Sequence, residues 1–207
     1  AHQSEYAFVD AMIPVLNPAG VQEFLDLGLY GWAMSRYSGC WVSFKTVAET
    51  VDSSASVHVD PHRINIVTPT DFEMPLGGLN IRWPDEFLAQ EERHHKYKLN
   101  ATLALMIDSP KRRLGIVTAG KSYLDVRQAL DDLGISEDQA RDIGISIYKV
   151  AMTWPLEREG MRAFAEGLEE ILVVEEKRKL IEDQLRTQLY NLRDNVRPNV
   201  IGKFDES

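Results

Sequence analysis

The chain has 207 residues, 44% of them hydrophobic, with a net charge of −9 and one cysteine. That is enough for one large domain, or a small domain plus part of another, and the acidic balance argues against nucleic acid or anionic lipid as a partner. Cys40 alone excludes an internal disulfide or an iron–sulfur cluster held by this chain, and no apolar run approaches the roughly 18 residues of a membrane span.

The N-terminus, Ala1-His-Gln-Ser-Glu5, has neither a basic nor an apolar leader region, so no signal peptide is visible and a cytoplasmic setting is the expectation. It lacks an initiator Met, which fits processing or a piece of a longer chain. Pro14 and Pro18 favour an extended segment, with Asn17-Pro18 as a helix start. Val21, Phe24, Leu25, Gly28, Leu29, Trp32 and Ala33 then form one helical face that ends near Gly39. Trp41–Val47 reads as a strand. Extended chain, helix and strand together suggest the end of an α/β domain.

Residues 52–56 are small and polar, hence a loop, while Val57–Asp60 and Ile64–Val67 are expected as short strands. Prolines and glycines between Thr68 and Gly78 mark a connector. A charged helix is expected from Trp83-Pro-Asp85 through Leu103 and Met106 to the break at Asp108-Ser-Pro110. This divides the chain into residues 1–67, a linker with a helix over 68–110, and an α/β domain over 111–207.

From Arg113 the pattern is strand, helix, strand, helix, strand. The apolar runs are Leu114–Val117, Ile145–Val150 and Ile171–Val174; helices are expected over Ser122–Leu133 and Glu159–Glu166, each followed by glycine. An amphipathic helix over Lys177–Arg193 and a short strand at Val200-Ile201 complete it. Such alternation predicts an open, mainly parallel sheet with helices on both faces.

Chemistry has few places to reside. The loop Thr118-Ala-Gly120-Lys121-Ser122 lies between a strand and a helix, where backbone N–H groups and Lys121 suit an anion, or where Ser122 caps a structural turn. The string Gly115-Ile-Val-Thr-Ala-Gly120-Lys121-Ser122 matches the bare P-loop pattern, but its first residues fall inside the expected strand. His58, Asp60 and His62 alternate as metal ligands on a strand would, though Pro61 interrupts the pairing; adjacent His94 and His95 point apart on a helix. Cys40 has no base beside it in sequence and reads as a small buried apolar residue. Glu175-Glu176 ends a strand at the edge where open α/β sheets bind ligands, and equally suits the start of the next helix. No catalytic residue and no metal site is assigned.

Longer strings carry a resemblance. Ile13-Pro-Val-Leu-Asn-Pro-Ala-Gly20, Gly28–Gly39 and Val51–Val57 resemble the end of a thiamine-diphosphate pyrimidine domain. Arg113–Arg127, Tyr148–Leu156, Ile171–Lys177 and Val200–Asp205 resemble the transketolase-C-terminal-like domain that follows it in the 2-oxoacid:ferredoxin oxidoreductases, nearest the indolepyruvate branch. The resemblance implies an enzyme that decarboxylates a 2-oxo acid on thiamine diphosphate with Mg²⁺. It implies electron transfer through iron–sulfur clusters to ferredoxin and acyl transfer to coenzyme A, in a homodimer. It places the activating glutamate, the diphosphate site and the clusters outside this chain, which is then an assembly segment, inactive alone and holding no cofactor. The competing reading is a stand-alone α/β module that binds a small anionic ligand at Thr118, Gly120, Lys121 and Ser122.

Overall fold

Two prolines keep residues 14–18 extended, and Val15–Leu16 (β1) pairs within that stretch. The computed structural model describes residues 3–60, 62–67 and 103–203. Ahead of β1, Glu5–Asp10 forms a short helix, α1, where no element was expected. The apolar face read from Val21 onward becomes α2 (Val21–Ser38), which begins after Gly20 rather than at Asn17 and ends in a left-handed Gly39. The expected strand at Trp41–Val47 contracts to Ser43–Phe44 (β2), parallel to β1. Its pairing closes where the Lys45 N–H donates to the Leu16 carbonyl, and Ala48–Val51 (α3) starts three residues later.

The strands expected at 57–60 and 64–67 do not form among the described residues. The Gln22 side chain on α2 accepts from the His58 N–H and donates to the His58 carbonyl, meeting needs that a strand partner would meet. The helix expected up to Met106 ends otherwise as well: Leu103–Ile107 is a strand, β3. An apolar run of that length does not distinguish helix from strand by period, and its antiparallel partner decides. The rest of that helix, with His94 and His95, lies outside the described residues.

Beyond β3, the alternation follows the sequence. It runs β4 (Leu114–Ala119), α4 (Gly120–Asp132), α5 (Glu137–Ile143), β5 (Ile145–Val150), β6 (Met152–Trp154), α6 (Arg158–Ala165), β7 (Glu170–Val174), α7 (Leu180–Leu189) and β8 (Asn199–Ile201). The five-stranded sheet has the order β3-β5-β4-β7-β8, parallel except for β3 at one edge. Val117, Val150, Ile171 and Val173 bury one face against Met161 and Phe164 of α6 and Leu185 and Leu189 of α7. Ile116 and Ile147 bury the other against Tyr123, Val126 and Leu130 of α4. At Gly115 an added Cβ would lie 2.5 Å from Leu168 Cδ1 and 2.9 Å from Phe164 Cε1, so α6 packs onto bare backbone there.

β6 leaves the main sheet and pairs antiparallel with β1, giving a second sheet of order β2-β1-β6. Leu16, Leu27 and Met34 from the N-terminal half pack there with Ala151 and Met152 from the C-terminal half. Among the described residues no helix is long and apolar enough to cross a membrane.

Candidate functional site at the carboxyl end of the sheet

From β4 the chain passes to β5 on one side, then returns across to β7 on the other. The carboxyl ends of β4 and β7 therefore flank the topological switch point, where open α/β sheets place ligands. A narrow cleft with room for little more than water opens there, with Glu5, Asn17, Lys45, Lys121, Thr153 and Glu176 among its walls.

The predicted loop takes part in this cleft, with its lysine already engaged. Thr118 is fully buried inside β4, paired in the ladder with Lys149 and Val174, and its Oγ1 has no hydrogen-bond partner among the described residues. Gly120 has a φ of +53°, and the Asn17 side chain occupies the space a Cβ would take. The Asn17 N–H donates to the Ala151 carbonyl at 2.8 Å, so the β1–β6 pairing fixes that cover. Lys121 Nζ lies 2.6 Å from Asp125 Oδ1, and this hydrogen bond holds the exposed ammonium above the ordinary lysine range. Ser122 is not the cap: α4 starts at Gly120 after Ala119, and Ser122 is buried in its first turn. Gly115 lies within β4, so the P-loop match is a strand packed on α6, not a phosphate cradle.

Across the cleft, Glu175 caps α7. Its carboxylate accepts the N–H groups of Leu180 and Glu182 at 3.0 Å and of Ile181 at 2.8 Å. Burial pushes the Glu175 carboxyl up, and those donors oppose the shift. The neighbouring Lys177 adopts a left-handed φ of 61°, uncommon for a side-chain-bearing residue.

Sequence reasoning found no constellation for Glu5 or Lys45, yet the fold joins them. Glu5 is 3% exposed. Lys45 Nζ donates to Glu5 Oε1 at 2.5 Å and lies 3.5 Å from Glu176 Oε2. Glu5 Oε2 is buried without a partner among the described residues. A second pair was equally unforeseen: Lys149, buried on β5, meets Glu23 on α2 and lies 4.8 Å from the centre of the Tyr123 ring. Burial pushes the Lys149 ammonium down to about 8. Glu23 Oε2 also accepts the Ala19 N–H at 2.8 Å. No local signal announces either pair, because the partners lie far apart in sequence: 40 residues separate Glu5 from Lys45, and Lys149 meets Glu23 from the other half of the chain.

The other candidates stay dispersed. Cys40 is buried. His58 Nε2 lies 3.9 Å from Asp60 Oδ2 on the exposed surface, and among the described residues no three His, Cys, Asp or Glu side chains converge on a metal position. The cleft is a poor seat for a diphosphate: Lys121 is held by Asp125, Lys45 by Glu5 and Glu176, and carboxylates line its walls.

Residues 104–207 match the family model of the indolepyruvate ferredoxin oxidoreductase middle domain. Indolepyruvate oxidoreductase subunit IorA of Pyrococcus horikoshii is 25% identical over 209 residues, covering 93% of this chain and 30% of that protein. Its counterpart in Pyrococcus abyssi is 26% identical over 196 residues, covering 90% and 29%. The chain thus spans under a third of the length of these relatives. A solved 2-oxoglutarate:ferredoxin oxidoreductase from Magnetococcus marinus, holding 2-oxoglutarate, coenzyme A and succinyl-CoA, shares the fold over 91% of this chain and 38% of its own. The TM-score is 0.55 at 15% sequence identity.

Proposed function

Because the chain belongs to the indolepyruvate ferredoxin oxidoreductase middle domain family, we propose that it is an assembly segment of a thiamine-diphosphate-dependent 2-oxoacid:ferredoxin oxidoreductase. The whole enzyme decarboxylates indolepyruvate or another aryl pyruvate, passes the acyl group to coenzyme A and sends electrons through iron–sulfur clusters to ferredoxin. The carbanion chemistry belongs to the cofactor, and the protein orients it. Thiamine diphosphate, Mg²⁺ and the clusters reside on other parts of the enzyme, which works as a cytoplasmic homodimer. Residues 1–67 are the C-terminal part of its pyrimidine-type domain, 68–110 a linker with a helix, and 111–207 the transketolase-C-terminal-like domain.

The observation that carries the assembly role is the shared small sheet. β6 follows β5 after one residue and pairs with β1, while Lys45 reaches Glu176 and Lys149 reaches Glu23 across the same junction. The cleft at the switch point is narrowed by this joining, with its lysines engaged to carboxylates. The segment fixes one domain against the next and leaves the chemistry to its neighbours.

Two assays test the reading. The full-length protein reduces ferredoxin or a viologen dye when given an aryl pyruvate, coenzyme A and Mg²⁺–thiamine diphosphate. In calorimetric titration the 207-residue chain binds neither Mg²⁺–thiamine diphosphate nor phosphate, and Lys121→Ala changes nothing. Tight cofactor binding by the chain alone would overturn the role; saturable phosphate binding lost in Lys121→Ala would establish the loop as an anion site.

A further inference from the structure

The cleft at the switch point holds a buried acceptor that the fold leaves unused. The Glu5 side chain is 3% exposed; its Oε1 takes the Lys45 ammonium at 2.5 Å, and its Oε2 has no hydrogen-bond partner among the described residues. A carboxylate oxygen removed from water and left unpaired is costly, so such an atom marks a position for a further donor or a cation. The surrounding charges decide between the two. Lys121 is held by Asp125, and three backbone N–H groups take the Glu175 carboxylate. Glu5 and Glu176 then share Lys45 alone, two carboxylates to one ammonium, which leaves one negative charge over. Neutral oxygens on the same walls come from the Asn17 amide and the Thr153 hydroxyl.

We infer that this cleft is a site for one monovalent metal cation, potassium by preference, held by Glu5 Oε2 with the Asn17 and Thr153 oxygens beside it. Carboxylate, amide and hydroxyl oxygens are hard donors and suit a hard cation. One excess negative charge calls for a single positive one. A cleft with room for little more than water admits an ion of about that size once it sheds its hydration shell. Magnesium dehydrates reluctantly and keeps several waters, and calcium takes about six to eight oxygens. Among the described residues no three carboxylate, imidazole or thiolate groups converge to hold either. The ion ties α1, which carries Glu5, to the small sheet, where Thr153 lies on β6 and Asn17 follows β1. It therefore stabilises the junction between the two halves, whichever reaction the longer enzyme performs.

The test is thermal unfolding in potassium chloride against tetramethylammonium chloride at equal ionic strength, since the larger cation screens charge but cannot enter. The melting temperature is expected to be about 3 °C higher in potassium at roughly ten times its dissociation constant, and Glu5→Gln is expected to abolish that difference. Equal melting temperatures in the two salts would overturn the inference and leave the cleft to water. A potassium response that survives Glu5→Gln would overturn it as well, because the ion then sits elsewhere. Thallium(I), a potassium surrogate, gives a direct readout on the unmutated protein should the variant fail to fold. Its magnetic resonance line is expected to broaden on addition of the protein and to sharpen again with potassium, but not with magnesium at the same ionic strength. No broadening, or equal displacement by magnesium as for a loose counterion, would overturn the site. Neither measurement involves ferredoxin or an oxo acid, so its failure is distinct from failure of the enzymatic assignment.

Discussion

Lys149 is the sharpest point at which to perturb the junction, and pH is the cleanest perturbation. Its side chain is buried on β5, and burial pushes the ammonium down to about 8 from an ordinary 10.5. The Glu23 carboxylate and the Tyr123 ring act in the opposite sense, and the lowered value says that desolvation outweighs them. A lysine depressed in the native state binds its proton more weakly there than in the unfolded chain. Between about pH 8 and 10.5 the unfolded state therefore carries the extra proton, and stability rises with pH. At 1.36 kcal/mol per pH unit, that interval bounds the gain at about 3 kcal/mol. The assay is urea unfolding at several pH values from 7 to 10.5, with Lys149→Met alongside to remove this group while other titrations remain. The difference between the proteins should swing towards the unmutated chain by up to that amount as pH rises. A swing in the other direction would mean that the Glu23 pair raises the lysine above its ordinary value, and the account of a desolvation-dominated junction would be refuted.

Lys45→Met strips the buried Glu5 of its ammonium partner, and breaking a buried pair from one side costs about 3–5 kcal/mol; a loss below about 1 kcal/mol in urea unfolding would show that water solvates Glu5 after all. Gly115→Ala drives a methyl into Leu168 and Phe164, an overpacking expected to cost about 1–3 kcal/mol, and an unchanged melting temperature would mean that α6 shifts freely. Glu175→Ala leaves the N–H groups of Leu180, Ile181 and Glu182 without their acceptor; hydrogen exchange should quicken in the first turn of α7, with a stability loss of about 1–2 kcal/mol. Protection at those amides equal to that of the unmutated chain would rule out Glu175 as the cap.

The sheet was legible where local chemistry is unambiguous. β4, β5 and β7 coincide with the expected strand runs, and α4 and α6 are followed by the left-handed glycines Gly134 and Gly167. α5 was missed although its start is written plainly: Ser136 and Gln139 form a reciprocal capping box. β6 was missed for a different reason. Only Ala151 separates it from the expected strand at Ile145–Val150, with no turn signal between them, and its partner β1 lies far away in sequence. β3 contains no polar residue to set a period, and only its pairing with β5 identifies it.

The candidate site divides in the same way. A strand-to-helix loop at Thr118–Ser122 follows from local pattern, and its position at the end of a parallel sheet is what makes it a candidate at all. What occupies the loop depends on register between distant strands. Asn17 read as a helix start, yet its backbone is tied to Ala151, and its side chain rests where Gly120 lacks a Cβ. Lys45 fell within the expected strand Trp41–Val47, yet α1 supplies a buried carboxylate beside it and Glu176, just past β7, supplies a second, exposed one. The Asn17 and Glu176 contacts follow from joining residues 15–16 to residues 152–154, whereas Glu5 meets Lys45 within the N-terminal half. The chemistry of the cleft is therefore a property of the junction between the two halves. Substitutions that loosen the β1–β6 pairing should uncover Gly120 and part Lys45 from Glu176, whereas substitutions confined to the loop should leave both contacts in place.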